Sequence, residues 1–222
     1  MQLKMKETLI SEESQKLIED IEIFNQNFSD LSSSELIQRS EILSEYRKKS
    51  SSTLQKQEIE SWIQANQFIS EKINAGKAPT WADLCYINKL FDPESGGRLR
   101  TTQVFVGNYQ TCSPDDLPQL INIYIKEVLV ESQTLHPLLW ASRARYWLVT
   151  IHPFIDGNGR TSNLVCDWIL ALNGYLPLSF HLKVDSHIGG WEGRSHFSDF
   201  DYACIKTLSA VKNTYELMAL AP

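Results

Sequence analysis

The sequence predicts an all-α fold, a helical bundle of roughly eight helices with one short β-hairpin. Apolar residues recur at intervals of three and four along most of the 222-residue chain, which is the period of amphipathic helices. The pattern changes between residues 92 and 118, where residues 99–107 are rich in β-branched and aromatic residues, which is typical of a hairpin. A chain of this length can bury one core and carry a small helical appendage.

A polar stretch, Lys-Lys-Ser-Ser-Ser-Thr at residues 48–53, is the clearest linker. Two helices are predicted before it, and the serines at 32–34 offer an N-cap to the second. The chain therefore divides into an N-terminal helical extension, residues 1–53, and a main domain, residues 54–222. The extension is compatible with a regulatory, a partner-binding or a plain structural role.

Composition excludes several classes of protein. An apolar fraction of 42% and a charged fraction of 22% are those of an ordinary globular protein. The net charge of −6 argues against a nucleic-acid partner, since such proteins rely on a basic face. The four cysteines form no C-x-x-C pair, so zinc spacing is missing. Because no stretch suits a signal peptide or a membrane span, we expect a cytoplasmic protein with no membrane partner; secretion as an effector would leave no recognisable sign.

The helix predicted to open at His136-Pro137 leads into the most informative stretch of the chain. Its apolar residues step by three and four as far as Ile151. Pro153 disfavours helical geometry for the residue before it, so the imidazole of His152 is expected where the helix ends. A histidine has an ordinary pKa of about 6.5, so its neutral form can accept a proton at cellular pH.

A glycine-rich turn follows at once. Asp156 offers hard oxygen ligands of the kind that Mg²⁺ prefers. Gly157 and Gly159 let the backbone approach a ligand closely, and Asn158, Arg160 and the first N–H groups of the next helix would then face an anion. The sequence therefore predicts a phosphate-binding turn with a base beside it.

This stretch resembles the signature of the Fic (Fic/Doc) family, because residues 152–160 read His-Pro-Phe-Ile-Asp-Gly-Asn-Gly-Arg. The resemblance implies a Fic-type helical bundle and a protein adenylyltransferase, an enzyme that transfers AMP from ATP to a Ser, Thr or Tyr hydroxyl of a target protein. It also implies Mg²⁺ as cofactor. Carried over, His152 is the catalytic base, Asp156 is the metal ligand and Phe154 is an anchor packed into the core. The implied phosphate-binding residues are Gly157, Asn158, Gly159, Arg160 and Asn163.

The hairpin at about residues 97–107 resembles the flap of Fic proteins, which holds the target protein by adding the target's backbone to the hairpin edge. The resemblance implies that the target contacts lie on this segment. The candidate residues are Leu99, Arg100, Thr102, Val104 and Val106. The alternative is a solvent-exposed hairpin with no partner.

Position 163 departs from the family pattern, since Asn163 replaces a second arginine. Arg160 and Asn163 lie three apart on the predicted helix and should share a face. Losing one charge-assisted contact costs about 1.5–3 kcal/mol, which weakens the enzyme hypothesis. Two alternatives follow: a Fic-fold protein that binds nucleotide or a partner with little turnover, and transfer from another nucleotide donor such as UTP or GTP. A helical adaptor with a chance motif is a further alternative.

In the family, the second arginine also pairs with the glutamate of an inhibitory Ser/Thr-x-x-x-Glu-Gly/Asn helix. Residues 8–12 match only the first part of that pattern, because Glu13 follows. The pair is therefore missing on both sides. Three explanations stay open: a separate inhibitory (antitoxin-like) protein, an unregulated site, or a donor that needs one arginine.

Overall fold

A computed structural model describes residues 10–28, 56–107, 109–178 and 199–220. Within these ranges the chain forms seven α-helices and one two-stranded hairpin, which confirms the predicted all-α class. No helix in the described part is long and apolar enough to cross a bilayer. The second predicted helix and the linker at 48–53 lie outside the described residues, so the division into two units stays a prediction.

The helices are bounded by signals that the sequence carries locally. Thr80 and Asp83 form a capping box at the start of the third helix, and Pro137 occupies the first turn of the fifth. The bounds are α1 Glu12–Gln26, α2 Lys56–Asn74, α3 Trp81–Phe91, α4 Leu117–Ile123, α5 Pro137–Ile151, α6 Asn158–Leu172 and α7 Phe200–Leu220.

The segment between the hairpin and α5 is less regular than a single helix. It begins with a 3₁₀ turn, Pro114–Asp116, continues as α4, and changes to a π-helix over Tyr124–Val130 and a 3₁₀ turn over Glu131–Thr134. The indole N–H of Trp140 donates to the carbonyl of Val128 at 3.0 Å, which ties the π-helix to α5.

The core is centred on α5, whose residues from 140 to 151 are all buried. It packs against α6, α7 and the π-helix, while α2, α3 and α6 enclose a smaller apolar cluster around Trp168. Because both α5 and α6 are fixed by packing, the loop 152–157 that joins them is held at both ends. This loop carries the candidate site.

Helix α1 is part of the same core, although it belongs to the predicted extension. Ile18 and Ile21 are buried against it, and α1 packs along α7. Lys212 and Asp20 form an ion pair across this contact at 2.6 Å. At least the first helix of the chain therefore supports the main domain directly.

Candidate active site

His152 follows the last residue of α5 in a left-handed conformation, with φ 52° and ψ 59°. The helix ends where the sequence predicts, since the proline at 153 disfavours a helical residue before it. Among the described residues, it is the one non-glycine residue with positive φ. Such a conformation costs about 1–3 kcal/mol and persists only where the surroundings enforce it, often at functional sites.

The imidazole ring of His152 is oriented by the helix that precedes it. Its Nδ1 lies 3.2 Å from the carbonyl oxygen of Val149, and because that oxygen can only accept, the neutral ring carries its proton on Nδ1. Burial lowers the pKa of His152; the bond to Val149 and the charge of Asp156 oppose this, while Arg100 lowers the pKa further. The net effect keeps the ring neutral, with the lone pair on Nε2.

The loop is closed by Asn158, the first residue of α6. Its side-chain oxygen accepts from the N–H of Phe154 at 3.0 Å, and its amide nitrogen donates to the carbonyl of Phe154 at 2.9 Å. Phe154 is fully buried and stacks on Trp81, so it is the core anchor that was expected. Because the side chain of Asn158 is buried and bonded to Phe154, its backbone N–H is the candidate donor to phosphate.

Asn88, a buried residue of α3, links three segments at the site. Its amide nitrogen donates to the carbonyl of Asp156 at 2.9 Å and to Thr161 Oγ1 at 3.3 Å. Its oxygen accepts from the N–H of Gly97, at the entrance to the hairpin, at 2.9 Å. The sequence analysis missed this residue. The sequence did carry one signal for it, since Asn88 is a single amide beside Ile87 among the apolar residues of α3.

The N-terminus of α6 is arranged to receive an anion. Its N-cap is Gly157, which has φ 76° and no side chain to satisfy the first N–H groups of the helix. The first helical hydrogen bond runs from the N–H of Thr161 to the carbonyl of Gly157, so the N–H groups of residues 158–160 precede it. The space beside the Cα of Gly159 is open. Free N–H groups and the helix dipole together favour a phosphate here.

Arg160 lies between two carboxylates. Its Nη2 is 2.9 Å from Asp156 Oδ2 and its Nη1 is 3.2 Å from Glu58 Oε1, while the guanidinium stands over the ring of Phe91 at 5.1 Å. Glu58 comes from the first turn of α2 and was not predicted as a neighbour of the motif. Either carboxylate would compete with an incoming anion for this arginine.

The side chain of Asp156 is 71% exposed. Its Oδ1 accepts from the N–H of Gly157 at 2.6 Å. The described part of the chain contains no cluster of three or more His, Cys, Asp or Glu side chains that could hold a metal by themselves. One accessible carboxylate fits Mg²⁺ in the arrangement in which substrate phosphates and water supply the other ligands.

Residues 79–170 match the Fic/DOC family, and this range contains His152, the loop and the start of α6. This part of the chain is similar to a Fic/DOC domain. The protein adenylyltransferase Fic of Drosophila yakuba is 47% identical over 88 residues, a match that covers 39% of this chain but only 18% of that relative.

Solved structures share the fold of this chain over a longer range. Fic-1 from C. elegans has a TM-score of 0.66 at 18% identity and covers 94% of this chain and 74% of its own. IbpAFic2 covalently tethered to Cdc42 has a TM-score of 0.52 at 19% identity and covers 94% of this chain and 65% of its own.

The side chain of Asn163 is turned toward α5. Its Oδ1 accepts a hydrogen bond of 2.9 Å from Nε of Arg145, a buried residue of that helix. Arg160 instead contacts Glu58 on α2 and Asp156 in the loop. The two side chains predicted to share one anion therefore have different partners.

The hairpin was predicted at 99–107 but lies further along the chain, and its second strand falls outside the predicted stretch. Its strands are β1, Phe105–Val106, and β2, Tyr109–Gln110, paired antiparallel with Phe105 opposite Gln110. The described part of the sheet has these two strands alone, which leaves an edge to which a further strand can add.

The candidate flap residues have different environments. Leu99 packs against the core and Arg100 is buried, whereas Thr102 is exposed. Val104 and Val106 are half-buried, and the carbonyl of Val104 already accepts from Thr111. The structure thus leaves Thr102 and parts of the two valines accessible, and places Arg100 beneath the hairpin.

Proposed function

We propose that this chain transfers AMP from ATP to a Ser, Thr or Tyr hydroxyl of a target protein. The observation that carries the proposal is the loop 152–157, which joins the oriented imidazole of His152 at the end of α5 to the uncapped start of α6. The relative named protein adenylyltransferase supports the same reaction. Since the match covers a small part of that relative, the activity of the whole protein belongs to this proposal.

The ring of His152 is suited to the role of general base. With Nδ1 bonded to Val149, the lone pair on Nε2 accepts the proton of the target hydroxyl. The target oxygen forms a bond to the α-phosphorus, the bond from that phosphorus to the pyrophosphate oxygen breaks, and pyrophosphate leaves. His152 then releases its proton to solvent. AMP remains on the target.

The start of α6 would hold the leaving group. The N–H groups of residues 158–160 and the guanidinium of Arg160 supply positive potential where the pyrophosphate charge develops, which is the main electrostatic task in such transfers. Asp156 is the residue that would hold Mg²⁺, whose charge would help to neutralise the phosphates when bound. Gly157 and Gly159 have no side chains, so they leave room for the phosphates to approach the backbone.

The hairpin is the candidate contact for the target. An extended segment of a target protein can add to its edge through main-chain hydrogen bonds, which gives affinity without requiring one sequence. Phe105, 60% exposed on β1, offers an apolar contact beside that edge. IbpAFic2, which has the same fold, is known in a complex with a protein, Cdc42.

A second function is favoured by the surroundings of the two motif side chains. Asn163 is neutral and bonded to Arg145, and Arg160 is paired with two carboxylates. Both features lower the positive charge available to a triphosphate. The alternative is therefore a nucleotide- or partner-binding protein with little turnover, or one that uses UTP or GTP.

Transfer from labelled nucleotides separates these functions. The purified chain is incubated with Mg²⁺, a cell lysate and ATP, UTP or GTP labelled at the α-phosphate, beside a His152→Ala variant whose fold is checked by circular dichroism. Protein labelling by the wild-type chain that is absent with the His152→Ala variant supports transfer. Mass spectrometry of the modified peptides then identifies the donor and the acceptor. If calorimetry shows that the chain binds nucleotide but no donor labels any protein, the alternative is supported.

A further inference from the structure

Arg100 is 2% exposed, and its guanidinium bonds to three main-chain carbonyls. Nε donates to the carbonyl of His152 at 2.7 Å, Nη1 to that of Thr102 at 2.9 Å, and Nη2 to that of Cys112 at 2.7 Å. Thr102 precedes β1 and Cys112 follows β2, so these bonds join both ends of the hairpin to the backbone of the candidate base. Such a buried side chain cannot be a surface contact for a target.

The backbone of Arg100 holds the next residue of the loop. Its N–H donates to the carbonyl of Pro153 at 2.9 Å, so one residue binds the carbonyls of two successive loop residues. The left-handed turn at His152 comes directly before the first of these carbonyls, and it is unfavourable unless neighbouring groups enforce it. Arg100 supplies this restraint from outside the helix that carries the histidine.

Charged and titratable groups around the ring come from separate segments. Arg100 faces His152 from the segment before the hairpin, and Asp156 faces it from the loop. Cys112 lies behind the turn, with Sγ 3.2 Å from the carbonyl of Ile151, and burial raises the pKa of its thiol, which therefore stays neutral. The positive charge of Arg100 disfavours a protonated ring and supports its use as a base.

We propose that Arg100 is a positioning residue for the base, which fixes the left-handed turn of His152 and ties the target-binding hairpin to it. This inference rests on the proposed transfer reaction. The three bonds set the distance between a hydroxyl presented by the hairpin and Nε2 of the ring. A misplacement of about 1 Å in such a geometry reduces a rate by roughly 100-fold.

The test compares Arg100→Lys and Arg100→Gln with Arg98→Gln. Lysine keeps the charge, but its single ammonium nitrogen cannot replace the three guanidinium nitrogens that reach three separate carbonyls. Glutamine loses the charge, and the control removes an exposed arginine of the same segment. Both variants at position 100 are expected to lower kcat by about 100-fold with KM for ATP changed less than about threefold. In the profile of kcat against pH, the acid limb should keep its midpoint in Arg100→Lys. It should move to higher pH for Arg100→Gln, because losing the positive charge raises the pKa of His152.

The pKa of His152 is also followed by NMR, which does not depend on transfer. If the wild-type chain transfers nothing from any donor, the proposed function fails, while a raised pKa in Arg100→Gln still supports the contact with the base. Folded variants with kcat within about twofold of wild type overturn the proposal. Loss of the fold in both variants also overturns it, since Arg100 would then stabilise the whole domain rather than the base.

Discussion

Arg145 donates a hydrogen bond from Nε to Oδ1 of Asn163 across 2.9 Å, inside the contact between α5 and α6. Arg145 is 1% exposed, and its Nη1 also donates to Thr207 on α7 at 3.2 Å. Burial lowers its pKa to about 10, which still leaves it charged at cellular pH. The position at which the Fic signature has its second arginine therefore faces a buried guanidinium in this chain.

Asn163→Arg is expected to destabilise the fold rather than to restore the family site. The change removes the acceptor of the Arg145 Nε–H and brings a second positive charge to this guanidinium, at a cost of about 2–4 kcal/mol in the free energy of unfolding. Denaturant unfolding measures this loss. Asn163→Ala is the matched control, since it removes only the acceptor. An arginine variant as stable as the alanine variant and faster in transfer would show that the new side chain turns away from Arg145 toward Arg160.

Glu58→Gln is expected to raise the affinity for ATP. Glu58 occupies one end of the Arg160 guanidinium at 3.2 Å, and a phosphate must displace it to use that donor. A partly exposed ion pair contributes up to about 1 kcal/mol. Calorimetry should therefore show the Kd for ATP lowered by up to about fivefold. Glu71→Gln, which removes the same charge from an exposed position further along α2, is the control. An equal gain in both variants would indicate a general effect of net charge.

The end of α5 at His152 and the start of α6 were predictable from the sequence because the signals are local. A proline after His152 ends α5, and a glycine opens α6. The partners that complete the site were not predictable in this way. Glu58 and Asn88 come from α2 and α3, far from the motif in sequence, and only the packing of those helices on α6 brings them to it.

The helical pattern also left side-chain directions unresolved. Three residues advance an α-helix by about 300°, so Arg160 and Asn163 differ by about 60° around the axis. This offset directs one toward α2 and the other toward α5, although both belong to one broad face. Arg100 was expected at the target surface because its segment resembles a flap. Its burial depends on carbonyls of the loop and of both hairpin ends, which no local pattern reveals.

The acid limb of kcat/KM is expected to have its midpoint below the ordinary histidine value of about 6.5. Burial lowers the pKa of His152, so the ring stays neutral and able to accept a proton as the pH falls through that value. Activity should decrease only at more acidic pH. NMR titration, with the resonance assigned by comparison with His152→Ala, measures the same group without substrate. A midpoint above the ordinary value would contradict the orientation and burial of this ring.

Gly157 and Gly159 should respond oppositely to alanine. Gly157 has φ 76°, and a Cβ there would lie 2.7 Å from the amide nitrogen of Asn88. Gly157→Ala combines left-handed strain with loss of the bonds that Asn88 makes to Asp156 and Thr161, so a loss of about 2–4 kcal/mol in the free energy of unfolding is expected. Gly159 lies in α6 with nothing near the site of a Cβ. Its change to alanine should alter stability by less than about 1 kcal/mol.

The Gly159→Ala variant also tests whether the start of α6 receives phosphate. In Gly159→Ala the fold is preserved, and the added methyl group stands in the open space that a phosphate would enter. ATP binding measured by calorimetry should therefore weaken while denaturant unfolding stays close to wild type. If ATP binds Gly159→Ala as tightly as the wild-type chain, the anion does not approach this turn of the helix, and the phosphate-binding role assigned to Gly159 is wrong.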